Sequence, residues 1–96
     1  WENVLQLYNQ LLQIEYSPMA ALNRTYALSK TLGNEKAIEE ALKLNLTENH
    51  FYHALLGILF MDIDHFKAIL HFKKDIELAK SDHEKISIEK HLKEMT

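Results

Sequence analysis

The sequence predicts an all-α fold of about six antiparallel helices, paired as hairpins that stack on one another. Three observations carry this reading. Apolar residues recur three and four positions apart along most of the chain, residues that start and stop helices divide it into short segments, and no segment reads as a strand. A shift of 31 residues superposes Leu28 on Leu59, Leu32 on Ile63, Ala37 on Ala68, Ile38 on Ile69 and Ala41 on Phe72. Two stacked helical hairpins leave such an internal repeat.

Each element has its own signals. From Trp1 to Ile14, the residues Trp1, Val4, Leu5, Tyr8, Leu11 and Leu12 fall on one face of a helix. Glu15 and Tyr16 form a bend, because Ser17 precedes a proline and is pushed out of the helical region. Ser17 then caps the next helix, Pro18 suits its first position, and Gly33 closes it. Stripes through Met19, Leu22 and Tyr26 and through Ala21, Thr25, Leu28 and Leu32 make this helix central, with neighbours on more than one side. Asn34 is the expected cap of a short helix ending near Leu44, with Ala37, Ile38, Ala41 and Leu42 as its apolar stripe.

The second half reads in the same way. Asn49 or Thr47 caps a helix through about Met61 that is apolar on most faces and therefore also central. Asp64 caps the next, for which Phe66, Ile69, Leu70, Phe72, Ile76 and Ala79 are the expected buried side. Ser81 with Glu84 forms a capping box that starts a sixth helix through Ile88, Leu92 and Met95.

Composition bounds the function. Ninety-six residues with 47% hydrophobic content suit a single domain, 1–96, burying roughly 60 to 65% of the surface its unfolded chain exposes. The chain opens at Trp1 already in helical pattern, as expected of a piece excised from a longer protein. A net charge of -3 and the lack of a basic block argue against direct nucleic-acid contact. With no cysteine there is neither a disulfide framework nor a thiolate metal site, which fits a reducing, cytoplasmic setting. No apolar run is long enough for a membrane span.

The run Ser17-Pro18-Met19-Ala20-Ala21-Leu22-Asn23-Arg24 resembles a segment in the C-terminal extension of one group of extracytoplasmic-function sigma factors, whose extension is built of tetratricopeptide-like helices. Trp1 with Leu7-Tyr8 and Leu11-Leu12 is similar to the family's upstream helix, and Tyr52-His53-Ala54-Leu55-Leu56 to a downstream one. Ser81, Glu84, Lys85, Lys90 and Leu92 sit as in its closing helix. The resemblance covers nearly the whole chain. It implies a non-catalytic regulatory domain of a bacterial sigma factor involved in transcription initiation. Its partners would be the upstream sigma regions, the RNA polymerase core or a regulatory protein.

The general tetratricopeptide pattern is followed less closely. Ala68 and Phe72 supply the small residue and the aromatic four later that let paired helices approach, but Ala41 occupies the aromatic place in the first unit. Asp75 stands where a small residue is usual, Lys80 where proline often ends the unit, and Leu56 where the usual glycine would be. A stand-alone tetratricopeptide-like adaptor that binds a peptide tail is the alternative reading.

Candidate chemistry is sparse. His50 and His53 have the one-turn spacing of paired metal ligands, but Asp62, Asp64 and His65 are explained as caps and turns, so no metal and no cofactor is expected. The chain lacks a thiol, a nucleophile elbow and a glycine-rich phosphate loop, which argues against an enzyme. Arg24, the only arginine, is either a clamp between helices or a contact to a partner, and Asn23 beside it shares the ambiguity. Tyr52 and His53 lie on the kind of helix that lines the inner groove of such stacks, and are either partner contacts or packing residues. Asn23, Arg24, Tyr52 and His53 are therefore the candidate interaction residues.

Overall fold

The computed structural model describes the backbone of residues 1–94 and the side chains of residues 1–82. Five α-helices follow in order: α1 (Glu2–Ile14), α2 (Pro18–Leu32), α3 (Asn34–Leu44), α4 (His50–Phe60) and α5 (His65–Glu94). The described residues contain no strand. Each helix packs on the next, and α2 also packs on α4. The molecule is a slab 19 Å thick, close to two helix diameters, and 51 Å long. Its radius of gyration of 15.8 Å exceeds the ~12.5 Å of a compact domain of this length, because α5 alone is ~45 Å long.

Local signals set most boundaries. The Ser17 hydroxyl accepts from the Ala20 amide at 3.4 Å at the start of α2, and Pro18 takes the first turn. Gly33 serves at once as the C-cap of α2 and the N-cap of α3, with φ of 93°. A Cβ there would meet nothing within 4 Å, so the backbone angle alone demands glycine. Asn34, the expected cap, is instead the first residue of α3. Its side-chain amide donates to the Leu59 carbonyl at 3.4 Å and ties α3 to the end of α4. Asn49 and Asp64 cap as expected, accepting from the Phe51 amide at 2.9 Å and the Lys67 amide at 3.2 Å.

The core is centred on α4. Leu22 of α2, Ala37, Ile38 and Ala41 of α3, Tyr52, Leu55, Leu56, Leu59 and Phe60 of α4, and Ala68 of α5 form one buried cluster. Small residues set its spacing. A Cβ on Gly57 would stand 2.6 Å from the Phe72 ring, so α4 and α5 approach this closely only because position 57 has no side chain. The expected break in the glycine pattern at Leu56 is thus made good one residue later: Leu56 fills the core and Gly57 makes the close contact.

Two expectations are corrected. There are five helices among the described residues rather than six, because α5 runs straight through Ser81. From His65 to Glu94 the chain has neither glycine nor proline, and one serine in a helix interior costs under ~1 kcal/mol, too little to end it. The side chains of Glu84, Lys85, Ile88, Lys90, Leu92 and Met95 lie outside the described residues. The buried side of α5 also differs: Ala68, His71, Phe72 and Asp75 face α4, whereas Phe66 (72% exposed), Ile69, Leu70 and Ile76 (67%) face outward.

Candidate protein-interaction surface

An uncharged groove lies between α2 and α4. Met19, Leu22, Asn23 and Tyr26 on one side and Phe51, Ala54, Leu55 and Ile58 on the other line a cavity of about 200 Å³. Helical spacing explains the set, since residues three and four apart share one face on each helix. No Asp, Glu, Lys or Arg belongs to this lining. Met19, Phe51 and Ile58 are each more than 40% exposed. Trp1 closes one flank edge-on against Tyr26 at 5.6 Å, and the Lys30 ammonium lies 5.2 Å from the centre of the same ring.

Of the four candidate residues, only Asn23 lines this cavity. Arg24, one residue on, is turned about 100° around the helix and leaves the groove. Its Nε donates to the Asn9 side-chain oxygen on α1, within a cavity of about 320 Å³ bounded by α1, α2 and α3. Glu40 and Lys43 line the same cavity and pair at 3.2 Å. The Lys43 hydrogen bond and charge hold the Glu40 carboxyl below its ordinary range, with smaller contributions from Lys36 and then Arg24. Arg24 therefore joins helices, in the geometry of a clamp.

Tyr52 and His53 belong to the interior. Tyr52 is 4% exposed and part of the core, and burial pushes its phenol upward. His53 is 7% exposed, and its two ring nitrogens meet the Thr47 carbonyl at 2.8 Å and His71 Nδ1 at 3.1 Å. One turn away, His50 Nδ1 stands 3.1 Å from an Asp75 oxygen. His50 and His53 thus take separate partners on α5. Among the described residues no group of three or more His, Cys, Asp or Glu side chains is placed to hold a metal ion.

The groove residues Phe51 and Ile58 and the α5 residues His71 and Asp75 were not singled out in the sequence as interaction or site residues. For the groove, the signal was present in the apolar girth of α4, which has more apolar faces than neighbours to cover them. For α5, the signal was polar: a His pair three apart on one helix and a His–Asp pair four apart on the next. No helix among the described residues is long and apolar enough to cross a membrane. Compared with known proteins, the chain matches no family model, no curated protein and no solved structure.

Proposed function

We propose that this chain is a non-catalytic, tetratricopeptide-like interaction domain from the C-terminus of an extracytoplasmic-function sigma factor, regulating transcription initiation by protein contact. The observation that carries the contact role is the exposed, uncharged groove between α2 and α4. The repeat architecture is supported by the helix neighbours: α2 with α3 and α4 with α5 are the two hairpins, joined through α2 on α4 and α3 on α4. It is supported further by Ala37 and Ala68, which superpose in the 31-residue repeat and are both buried. The sigma-factor affiliation rests on the sequence resemblance alone.

In this reading the sigma regions upstream contact DNA and polymerase, while the acidic domain acts on them, on the polymerase core or on a regulatory protein. DNA affinity belongs to the upstream part, because a chain of net charge -3 makes few phosphate contacts. Asn23 is the one candidate residue that lines the groove, and its amide can both donate to and accept from a partner's backbone. The domain works in the cytoplasm and holds no cofactor.

Two measurements test this. The gene upstream of Trp1 should encode helical regions of the sigma type, and their absence would leave the stand-alone adaptor in possession of the same groove. In the full-length protein, Phe51→Ser with Asn23→Ala should change transcription from a cognate promoter at least several-fold while the melting temperature of the 96-residue chain stays within a few degrees. Unchanged transcription from a folded variant would remove the groove from the proposed function.

A further inference from the structure

The α4–α5 interface contains a contact whose chemistry fixes where its protons sit. The His53 and His71 Nδ1 atoms are 3.1 Å apart, while the ring centres are 5.3 Å apart with planes 26° from parallel. Each ring therefore turns its Nδ1 edge toward the other, as in an N–H···N hydrogen bond. His53 Nε2 lies 2.8 Å from the Thr47 carbonyl, which only accepts, so Nε2 carries a hydrogen. In the neutral ring His53 Nδ1 is then bare and accepts. The bridging hydrogen belongs to His71 Nδ1, which donates.

We propose that the His53–His71 contact is a proton-operated latch between α4 and α5, closed while one hydrogen lies between the two Nδ1 atoms and open once each atom carries its own. Two ring nitrogens of the pair can still take a proton from solvent. A proton on His71 Nε2 leaves the bridge in place. One on His53 has only Nδ1, where it sets two N–H groups head to head, beside two cationic rings once His71 is charged as well. His53 must then release either His71 on α5 or the Thr47 carbonyl in the α3–α4 loop.

The surroundings favour this response. Asp75 on α5, the carboxylate one turn from His71, is already paired with His50 on α4. Lys67 on α5 lies 5.5 Å from the centre of the Phe60 ring, which stacks parallel to His71 at 5.7 Å. Lys74 on α5 pairs with Glu77 at 3.8 Å and so adds no unbalanced charge. Tyr52 meets His53 edge-on at 5.0 Å and is neutral in this range. α2 carries no carboxylate, and of those on α3, Glu39 pairs with Lys36 and Glu40 with Lys43. Burial first, and the charge of His53 second, lower the His71 ring below its ordinary value. A base with a lowered folded value favours folding above the ordinary imidazole value of about 6.5, and this contribution is lost as the pH falls from there through the folded value.

The test uses ring-nitrogen NMR and thermal unfolding of the 96-residue chain between pH 7.5 and 5. At pH 7.5 the spectra should show His53 as the Nε2–H tautomer and His71 as the less common Nδ1–H tautomer. Over the titration window the folding equilibrium should weaken by up to tenfold per pH unit for each proton the folded pair refuses. His53→Gln with His71→Gln replaces the rings by amides that bridge without titrating, and should remove at least tenfold of that loss between pH 7 and 5. An equal acid loss in the glutamine variant and the parent would overturn the latch. Should that variant not fold, the spectra decide: two Nε2–H rings titrating independently near the ordinary value would overturn it equally.

Discussion

α1 and α4 share a lack of charge and differ in burial. Neither carries a charged residue over most of its length: α4 has none from His50 to Phe60, and α1 none from Asn3 to Ile14. Yet seven of the 11 residues of α4 are buried and none of the 13 in α1 is. Two things differ: α1 carries five amide side chains where α4 carries none, and it has fewer neighbours. Among the described residues α4 is packed by α2, α3 and α5, whereas α1 has α2 alone. Apolar content therefore states how much burial a helix can use, and topology decides how much it receives. The surplus on α1 is a face through Leu7, Leu11 and Ile14, the last 84% exposed.

The sharpest way to break this comparison is to truncate one side chain on each helix. Leu56 is wholly buried at the centre of α4, so Leu56→Ala should cost about 3 to 5 kcal/mol, a large share of the ~5 to 15 kcal/mol that holds a domain together. Leu12 on α1 is half-buried, and Leu12→Ala should cost about 1 to 2 kcal/mol. Urea unfolding of both variants measures the pair. Equal losses would mean that α1 is as integral to the core as α4.

A smaller effect sharpens the account of α4. Gly57→Ala adds one methyl group against the Phe72 ring, and overpacking of this kind costs about 1 to 3 kcal/mol, offset by the ~1 kcal/mol that alanine gains over glycine in a helix. The net change should be a modest loss, relieved when Phe72→Leu is introduced beside it. A stabilised single variant would show that the ring moves aside at no cost and that the approach of the two helices does not depend on glycine.

Much of the fold could be read before the structure because its punctuation is local. Ser17, Pro18 and Gly33 bound α2 where expected, and Asn49 and Asp64 cap α4 and α5, since each of these signals acts within one turn of chain. The face of α5 could not be read in this way. Its apolar residues Phe66, Ile69, Leu70, Phe72 and Ile76 spread around the helix, so periodicity leaves several sides open. The side chosen is the one that fits Phe72 onto Gly57 and sets His71 and Asp75 opposite His53 and His50, a match between two helices that neither displays alone. The candidate residues divide for the same reason. Spacing placed Asn23, Arg24, Tyr52 and His53 on the right helices, but only packing decided that Asn23 faces the groove, Arg24 faces α1, and Tyr52 and His53 turn inward.

The smallest effect concerns the outer face of α1. Leu11 and Ile14 border a shallow cavity of about 270 Å³ with Glu15, Ser17 and Ala20, and both are at least half exposed. Replacing both by glutamine removes apolar surface that the fold does not bury, while keeping residues that favour a helix nearly as well as leucine. The double variant should change stability by no more than ~0.5 kcal/mol, which for a domain of this size is under ~4 °C in melting temperature. If α1 spends its surplus on another part of a longer protein, the same variant in the full-length chain should lower stability by more than it does in the 96 residues, because the leucine and isoleucine would be covered there. A fall of several degrees in the 96-residue chain would mean that this face is already buried within the domain. No difference between the short and the full-length chain would leave the face open to solvent in both, and the contrast between α1 and α4 would then be one of neighbours that α1 does without.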